Sequence, residues 1–453
     1  MSRLARRLRT ADYFTLGFGT MVGVGWLVLM DDWLQRGGPA GVVLGFAIGG
    51  LALVPIALVY GRLVTAIPDA GSEIAYTARV FRPGASFATG WMMMLAYLIV
   101  CPWEAVAIGR LAAYLVPGLD SFEIYRVAGN SVFLPRLALG LLLTSVITLI
   151  NYRGIRLSAT FQTWMTFVLL ALFVLFAGAS IGRGSLENLD PPFSHGPVLS
   201  VLLVLQIVPY FMTGFESVPK CAEEAAPGFR SRGFLRAILL ALVVGILFYT
   251  TVVALVSYLR PWQGLAKERF ATAVAFEQAF GSRLVVRLLF LAALASLLKI
   301  FNGNLVAASR LLFALGRAGL VHAGFGRVHE RNLTPSVAVL ALGGVTAVAS
   351  CLGDAILVPI TEVGSMASAL GWLAACVAFF CLRKGAGDRA LAVAGMIVAG
   401  ALVLMKLLPF VPGHFTLYEW MVLLVWVGVG LAARRSGITS ISDSPRLQPR
   451  PTA

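Results

Sequence analysis

The chain has 453 residues, 59% of them hydrophobic and only 13% charged. A soluble domain is nearer half apolar and one quarter charged, so the composition excludes a water-soluble protein and indicates a polytopic membrane protein. The formal net charge of +15 would suggest nucleic acid in a soluble protein; here the positive-inside rule accounts for it, and no nucleic-acid partner is expected.

Uncharged runs long enough to cross about 30 Å of hydrocarbon recur along the whole chain and define twelve expected spans. The start, Met1 to Arg9, is basic, but the apolar segment behind it lacks a small-residue cleavage site, so no cleavable signal peptide is expected. Span 1 covers about 13–35, and Pro39 opens span 2, about 40–64. A basic turn with Pro68-Asp69-Ala70-Gly71 and Arg79 to Pro83 leads to span 3, about 86–116, which carries Pro102, Glu104 and Arg110. A loop with Asp120, Glu123 and Arg126 precedes spans 4 and 5, about 134–151 and 158–182, joined by Asn151-Tyr152-Arg153-Gly154. A Pro- and Gly-rich outer loop leads to span 6, about 198–221, and span 7 follows at about 235–258. The mixed segment 262–281 reads as a short interfacial helix outside. Span 8, about 284–315, contains Lys299, and spans 9 and 10 cover about 336–352 and 357–382, the latter with Glu362. Spans 11 and 12 cover about 390–409 and 416–433, and the Ser/Pro/Arg-rich tail is expected to be disordered.

With a cytoplasmic N-terminus, about two dozen Lys/Arg fall on the inner side, among them Arg3, Arg6, Arg7, Arg9, Arg79, Arg82, Arg153, Arg156, Arg230, Arg232, Arg236, Arg327, Arg331, Arg383, Lys384, Arg434 and Arg435, against about ten outside. That asymmetry is expected to put both termini in the cytoplasm. Cys101, Cys221, Cys351, Cys376 and Cys381 lie in or beside apolar segments with no CxxC pair, and read as small core residues rather than disulfides or metal ligands.

Two spans are interrupted. Span 1 reads Gly17-Phe18-Gly19-Thr20-Met21-Val22-Gly23-Val24-Gly25-Trp26, with four glycines in nine residues. Each glycine costs a helix interior about 1 kcal/mol relative to alanine, and freed backbone groups are tolerated at membrane depth only where they line a cavity or lie buried in protein. The plainer reading is close helix packing through Gly19 and Gly23, spaced G-x-x-x-G. Span 6 places Pro209, Gly214 and Pro219 within eleven residues, and an interior proline costs a helix about 3 kcal/mol. Broken helices at matching positions of two five-span halves point to a transporter's binding site. The expected layout is a cytoplasmic N-terminus (1–12), a first five-helix repeat (13–182), a second (198–382), helices 11–12 (390–433) and a cytoplasmic tail (434–453). No residue-level similarity relates the halves; the repeat rests on the position of the breaks.

Four strings carry a family resemblance: Gly23-Val24-Gly25-Trp26; Gly214-Phe215-Glu216-Ser217 with Glu223-Glu224; Asn151-Tyr152-Arg153-Gly154; and Ala307-Ala308-Ser309-Arg310-Leu311-Leu312-Phe313-Ala314. In order and spacing, over about residues 10–385, the chain resembles the amino acid–polyamine–organocation (APC) transporter superfamily in its bacterial amino acid permease branch. The resemblance implies an all-α membrane protein of twelve transmembrane helices, with the 5+5 inverted repeat of the bacterial leucine transporter plus two C-terminal helices. It also implies alternating access and the uptake or exchange of amino acids or related amines. No cofactor and no metal are expected.

In family terms the substrate carboxylate lies against the backbone of Gly23, Val24 and Gly25, where the N–H groups and dipole of a half-helix point, and Val22 next to them is expected to belong to the same substrate-binding run. The ammonium lies against carbonyls of span 1 and of the break near Phe211, Thr213 and Gly214. By its spacing to Glu216, Tyr210 matches the family's gating aromatic and is expected to be an outer lid, unless it is ordinary packing. Trp26 either walls the pocket or anchors the second half-helix.

Lys299 is a cation with apolar neighbours in mid-membrane, where a charge costs about 2.5–3.5 kcal/mol by insertion scales. Sodium-coupled relatives place a cation between spans 1 and 8, and proton-coupled ones put a span-5 lysine there. Span 5 here, Thr160-Phe161-Gln162-Thr163-Trp164-Met165-Thr166, has none. Lys299 is therefore expected to supply the cation from span 8, touching carbonyls near Gly19–Val22, as an exchangeable proton site or a fixed tether, and to make sodium there unlikely to bind. Glu216 reads as a proton-linked gate or a cap for loose backbone, while Glu104 and Glu362 either face the cavity or pair with cations. Asp31 and Asp32 either attract a cationic amine or simply face water. Several intramembrane acids favour a cationic amine or proton coupling.

An enzyme is not expected: HExxH, G-x-S-x-G and Cys/His metal spacing are all missing, and His195, His322, His329 and His414 fall in loops or near span ends. A channel would need a continuous polar path, and a binding-only sensor is left open. The partners expected are an amino acid or amine, protons and the bilayer; oligomeric state is open.

Overall fold

The computed structural model describes residues 4–268 and 270–434. Arg3, Arg435 and nearly all of the expected tail lie outside the described residues.

The chain opens with α1 (Thr10–Met21) and α2 (Gly25–Val28), followed by α3 (Met30–Ala52) and α4 (Val54–Ala66). Inside α3 the backbone turns at Gly38, whose φ of 63° suits only a residue without a Cβ, and Pro39 then restarts the helix. Span 1 thus runs into span 2 where the sequence marks the boundary. The turn after span 2 contains a short α5 (Glu73–Thr77), and span 3 is divided into α6 (Pro83–Leu98) and α7 (Val100–Leu115) just before Pro102. Spans 4 and 5 are α8 (Leu134–Arg153) and α9 (Ile155–Ser180).

Span 6 is broken into α10 (Pro197–Leu205), α11 (Val208–Met212) and α12 (Ser217–Lys220). Then come α13 (Arg232–Leu259), α14 (Trp262–Leu265), α15 (Ala271–Phe280) and α16 (Arg283–Arg317). The expected single helix over 262–281 is therefore two helices. The chain closes with α17 (Ser336–Ser350), α18 (Leu357–Leu382), α19 (Ala386–Leu407) and α20 (Leu417–Ala433).

The loop after span 3 holds an antiparallel hairpin, β1 (Glu123–Val127) and β2 (Asn130–Phe133). Its two-residue turn, Ala128-Gly129, has positive φ at both positions, 46° and 81°. That matches the right-handed twist of paired strands.

Among the described residues eight helical stretches are long and apolar enough to cross a bilayer, and α17 and α20 are shorter apolar helices. The two broken segments, α1–α2 and α10–α12, are not continuous helices. The fold is an all-helical, multi-span membrane protein. Its polarity is inverted relative to a soluble protein. Large apolar residues such as Leu51, Val174, Leu247, Ile397 and Leu424 are exposed around the outside, and Glu104, Lys299, Asn302 and Arg310 are buried within. In the middle, α1 packs against α9, α13 and α16, and α11 against α18, so both breaks lie inside the helix bundle.

Candidate substrate site

After Met21 the backbone leaves the helix at Val22 (φ −94°, ψ 104°) and resumes it at Gly25. Four carbonyls at this break accept from side chains of other helices. Thr20 O takes the Asn304 Nδ2–H at 3.2 Å, and Met21 O takes the Tyr249 hydroxyl at 3.2 Å. Val22 O takes the Lys299 ammonium, and Gly23 O takes the Ser296 hydroxyl at 2.6 Å. Buried carbonyls need such partners, and Gly and Val offer none of their own.

Lys299 Nζ also stands 3.5 Å from Gly19 O and 5.2 Å from the Phe18 ring centroid. It is fully buried between α1 and α16. From α9, Gln162 and Thr166 fill the space beside Gly19, where an added Cβ would collide with the Gln162 amide. Span 5 therefore contributes an amide and a hydroxyl at this point, and span 8 the cation.

On the other side of the break stands Glu104 of α7. Its Oε1 would lie 2.8 Å from a Cβ on Gly23, and the Val24 N–H faces the carboxylate. The broken end of the first half-helix thus meets a cation, and the start of the second meets an anion, as the macrodipoles of the two halves require.

The break in span 6 is closed largely from its own sequence. Thr213 donates its hydroxyl to Pro209 O at 2.6 Å, and Glu216 Oε2 accepts the Gly214 N–H at 3.0 Å. Lys220 donates to Glu216 O at 2.9 Å and to Glu73 Oε1 at 2.8 Å. Gly214 has a φ of 149°, and a Cβ there would come within 2.5 Å of Met21 N and 2.8 Å of Met21 Cα. The two breaks therefore touch backbone to backbone, through a position only glycine can fill.

Between the breaks lies a small cavity with room for roughly one water. Of the residues singled out in the sequence it is lined by Gly23, Gly25, Glu104, Tyr210, Phe211 and Thr213. Thr20 and Met21 come from the interrupted run itself, while Val100, Trp103, Ile300 and Asn304 carried no sequence signal. Phe211 lies over Gly25, where an added Cβ would come within 2.6 Å of its ring, and Tyr210 is braced by a hydrogen bond from its N–H to Ser365 Oγ at 3.2 Å.

Val22, Val24, Gly214 and Trp26 do not line this cavity. Trp26 points to the opposite side, packs edge-on against Phe248 and walls a separate apolar cavity with Phe173 and Phe276. Glu362 is also outside; it pairs with Lys406 of α19 and lies 3.5 Å from Arg36, which in turn holds Asp32 at 2.8 Å.

Two further buried ion pairs lie beyond the span-6 break. Lys220 meets Glu73, and Arg310 meets Glu224 at 2.9 Å. Beside them Arg317 joins Glu223 at 2.5 Å and Asp69 at 3.1 Å. Burial raises the Glu223 carboxyl's pKa, but hydrogen bonds from Arg317 and the Ala70 N–H outweigh it and hold the group below its ordinary value.

Residues 8–432 match the family described as amino acid permease. The chain belongs to the amino acid permease family. It is 26% identical to the methylthioribose transporter of Bacillus subtilis, over 94% of this chain and 92% of that protein. It is equally similar, at 26%, to the branched-chain amino acid permease BcaP of the same organism, again over 94% and 92%. Cationic amino acid transporter 9 of Arabidopsis thaliana is 30% identical over 72% of this chain and 58% of that protein. The family match includes both breaks and every residue of the cavity, and establishes this chain as a multi-pass membrane permease of the APC superfamily.

The permease residues that sequence reading missed had a weak signal. Ser296, Lys299 and Gly303 recur at helical spacing on one stripe of α16, and this stripe faces span 1. Asn302 belongs to a neighbouring stripe and binds Asn151, Ser158 and Gln162. A stripe of polar and small residues in an apolar helix marks the face turned inward.

Proposed function

We propose that this permease is a secondary active transporter of amino acids or related amines, working by alternating access with substrate held between the broken spans 1 and 6. It sits in the cell membrane of a bacterium with both termini cytoplasmic, as the distribution of Lys and Arg favours. Residues 13–182 and 198–382 act as two five-helix repeats, and 390–433 adds the last two helices. Coupling is to protons or to exchange.

The observation that carries the reading is Lys299, which places an ammonium on the carbonyls of Val22 and Gly19 between spans 1 and 8. A fixed cation there occupies the position from which a sodium ion would hold the same carbonyls, and an ammonium can release and regain a proton where a sodium ion cannot. Glu104 is the acidic group on the substrate side. Arg36–Glu362 on the outer side and Arg317–Glu223 on the inner side stand at opposite ends of the path, and opening one while the other holds is what alternating access requires.

The test is uptake of a labelled amino acid and amine panel into proteoliposomes at pH 5.5 and 7.5, with and without sodium, for wild type and Lys299→Ala. The expected result is saturable, sodium-independent uptake, with net uptake or its pH response lost in the variant. Sodium-dependent uptake, or wild-type behaviour of Lys299→Ala, would remove Lys299 from coupling. Binding without counterflow of any compound would identify a sensor.

A further inference from the structure

Four charged side chains form a row at one end of the path. Arg36 Nε holds Asp32 Oδ2 at 2.8 Å, and Arg36 Nη1 reaches Glu362 Oε1 at 3.5 Å. The other oxygen of that carboxylate, Oε2, takes the Lys406 ammonium. Exposure falls along the row, from 42% for the Asp32 side chain and 21% for Arg36 to 12% for Glu362 and 1% for Lys406. Anions and cations alternate, so the row is neutral, and its longest contact is the middle one.

Asp32 and Arg36 both stand on α3, one turn apart, while Glu362 stands on α18 and Lys406 on α19, which packs along α18. Of the three contacts, the middle one joins α3 to the other two helices. A break there leaves Arg36 with Asp32 and Glu362 with Lys406, as two neutral pairs. A buried charge stripped of its partner is costly, and here neither side is stripped. Without Lys406, the same break would strand a carboxylate that is mostly buried.

Lys406 is held in place for Glu362. Its second acceptor is uncharged, Gln206 Oε1 at 3.4 Å, and the Gln206 amide is itself bound to Pro412 O in the loop behind α19. Lys406 O takes the Phe415 N–H at 3.0 Å, which closes the same loop. The acid of α20, Glu419, is committed to the N–H and hydroxyl of Thr416. The row also reaches the cavity. Ser365 and Ser368 follow Glu362 at helical spacing along α18. Ser365 Oγ takes the Tyr210 N–H at 3.2 Å, and the Ser368 hydroxyl stands 2.5 Å from that of Thr213.

We propose that, within the alternating-access reading given above, this row is the seam at which the outer gate parts, and that Lys406 and Asp32 are the positioning residues that let it part. Each keeps one charge paired as Arg36 and Glu362 separate. Span 11, which lies outside both five-helix repeats of that reading, is by this arrangement a working member of the gate. Loss of Lys406 leaves Glu362 to Arg36 alone and holds the outer side shut. Loss of Asp32 does the same to a smaller degree, because Arg36 is better exposed to water than Glu362.

The test reads opening directly. Val100 lines the cavity. Val100→Cys, in the full chain with its five native cysteines replaced by alanine, is exposed to a membrane-impermeant thiosulfonate. The reagent reaches it from outside in intact cells and from inside in inverted vesicles. The expected result for this parent is labelling from both sides. Adding Lys406→Met slows outside labelling about fivefold or more, as the stranding of a buried carboxylate requires, and does not slow inside labelling. Lys406→Arg keeps the parent's rates, and Asp32→Asn slows outside labelling about twofold. Adding Glu362→Gln to Lys406→Met restores the outside rate, because no ion pair is left to hold the seam. A merely structural lysine would not give a one-sided loss that a second deletion repairs.

Unchanged or faster outside labelling in a folded Lys406→Met overturns the proposal and leaves alternating access standing. So does a failure of Glu362→Gln to restore the rate. Should Lys406→Met not fold, as judged by gel filtration, Asp32→Asn decides, and an unchanged outside rate there overturns the seam. Labelling of the parent from one side only, or from neither, overturns alternating access and the proposal with it.

Discussion

The two breaks solve one problem in opposite ways. The run Val22-Gly23-Val24-Gly25 has no polar side chain, so the freed groups around it are served by Glu104 from α7, Tyr249 from α13 and Ser296, Lys299 and Asn304 from α16. The run Thr213-Gly214-Phe215-Glu216 brings Thr213 and Glu216, and Lys220 one turn later, and closes itself. A break served by three other helices must register any movement among them. A break that caps itself can keep its shape while its surroundings move.

The largest effect is expected where the self-capped break meets a buried charge. Lys220→Met strands the Glu73 carboxylate, which is fully buried. Removing one partner of a buried pair costs about 3–5 kcal/mol, so thermal unfolding in detergent should fall markedly. Adding Glu73→Gln should recover most of the loss; no recovery would mean that Lys220 acts mainly on Glu216 O.

Next is Lys299→Met, which removes a charged donor from Val22 O and Gly19 O. Hydrogen bonds to charged groups contribute about 1.5–3 kcal/mol. The comparison predicts that this variant lowers stability less than Lys220→Met but damages transport more, because it releases the break that other helices sense. The reverse order in an uptake assay would dissolve the distinction.

Gly214→Ala drives a methyl into the backbone at Met21 and should cost about 1–3 kcal/mol, as overpacking does. Uptake should fall with stability, and neighbouring variants that leave the φ and the contact alone should not reproduce it. The smallest effect is expected for Glu216→Gln, whose amide oxygen can still accept the Gly214 N–H. A neutral hydrogen bond has about half the strength of a charge-assisted one, so the loss should be about 1 kcal/mol or less by thermal unfolding, with uptake nearly unchanged. A total loss of uptake would instead make Glu216 a proton-linked gate.

The breaks were legible in the sequence because glycine and proline act on the backbone of their own segment, whatever surrounds it. Lys299 was legible for a similar reason, since a lone ammonium in an apolar run needs acceptors and the broken span has them. The cavity wall was not. Trp26 adjoins the glycine run and faces away from it, while Trp103, distant in sequence, lines the cavity. Which face of a helix meets the site is decided by packing among helices, and single-sequence periodicity does not carry that information. Glu362 gives the same lesson, because its partner Lys406 lies on a helix outside both expected repeats. The Ala128-Gly129 hairpin was not legible because its first turn residue is an alanine at a φ of 46°, where such turns favour Asn, Asp or Gly.

The backbone contact of Gly214 with Thr20 and Met21 fixes one point shared by both broken spans. It leaves no room for either to slide inward past the other, but places no limit on tilting. With about 15 Å of hydrocarbon on each side of the midplane, a tilt about such a fulcrum widens one end of the path as it narrows the other. The midplane itself hardly changes. Under the alternating-access reading proposed above, a missing methyl group is what would tie the two openings into a seesaw.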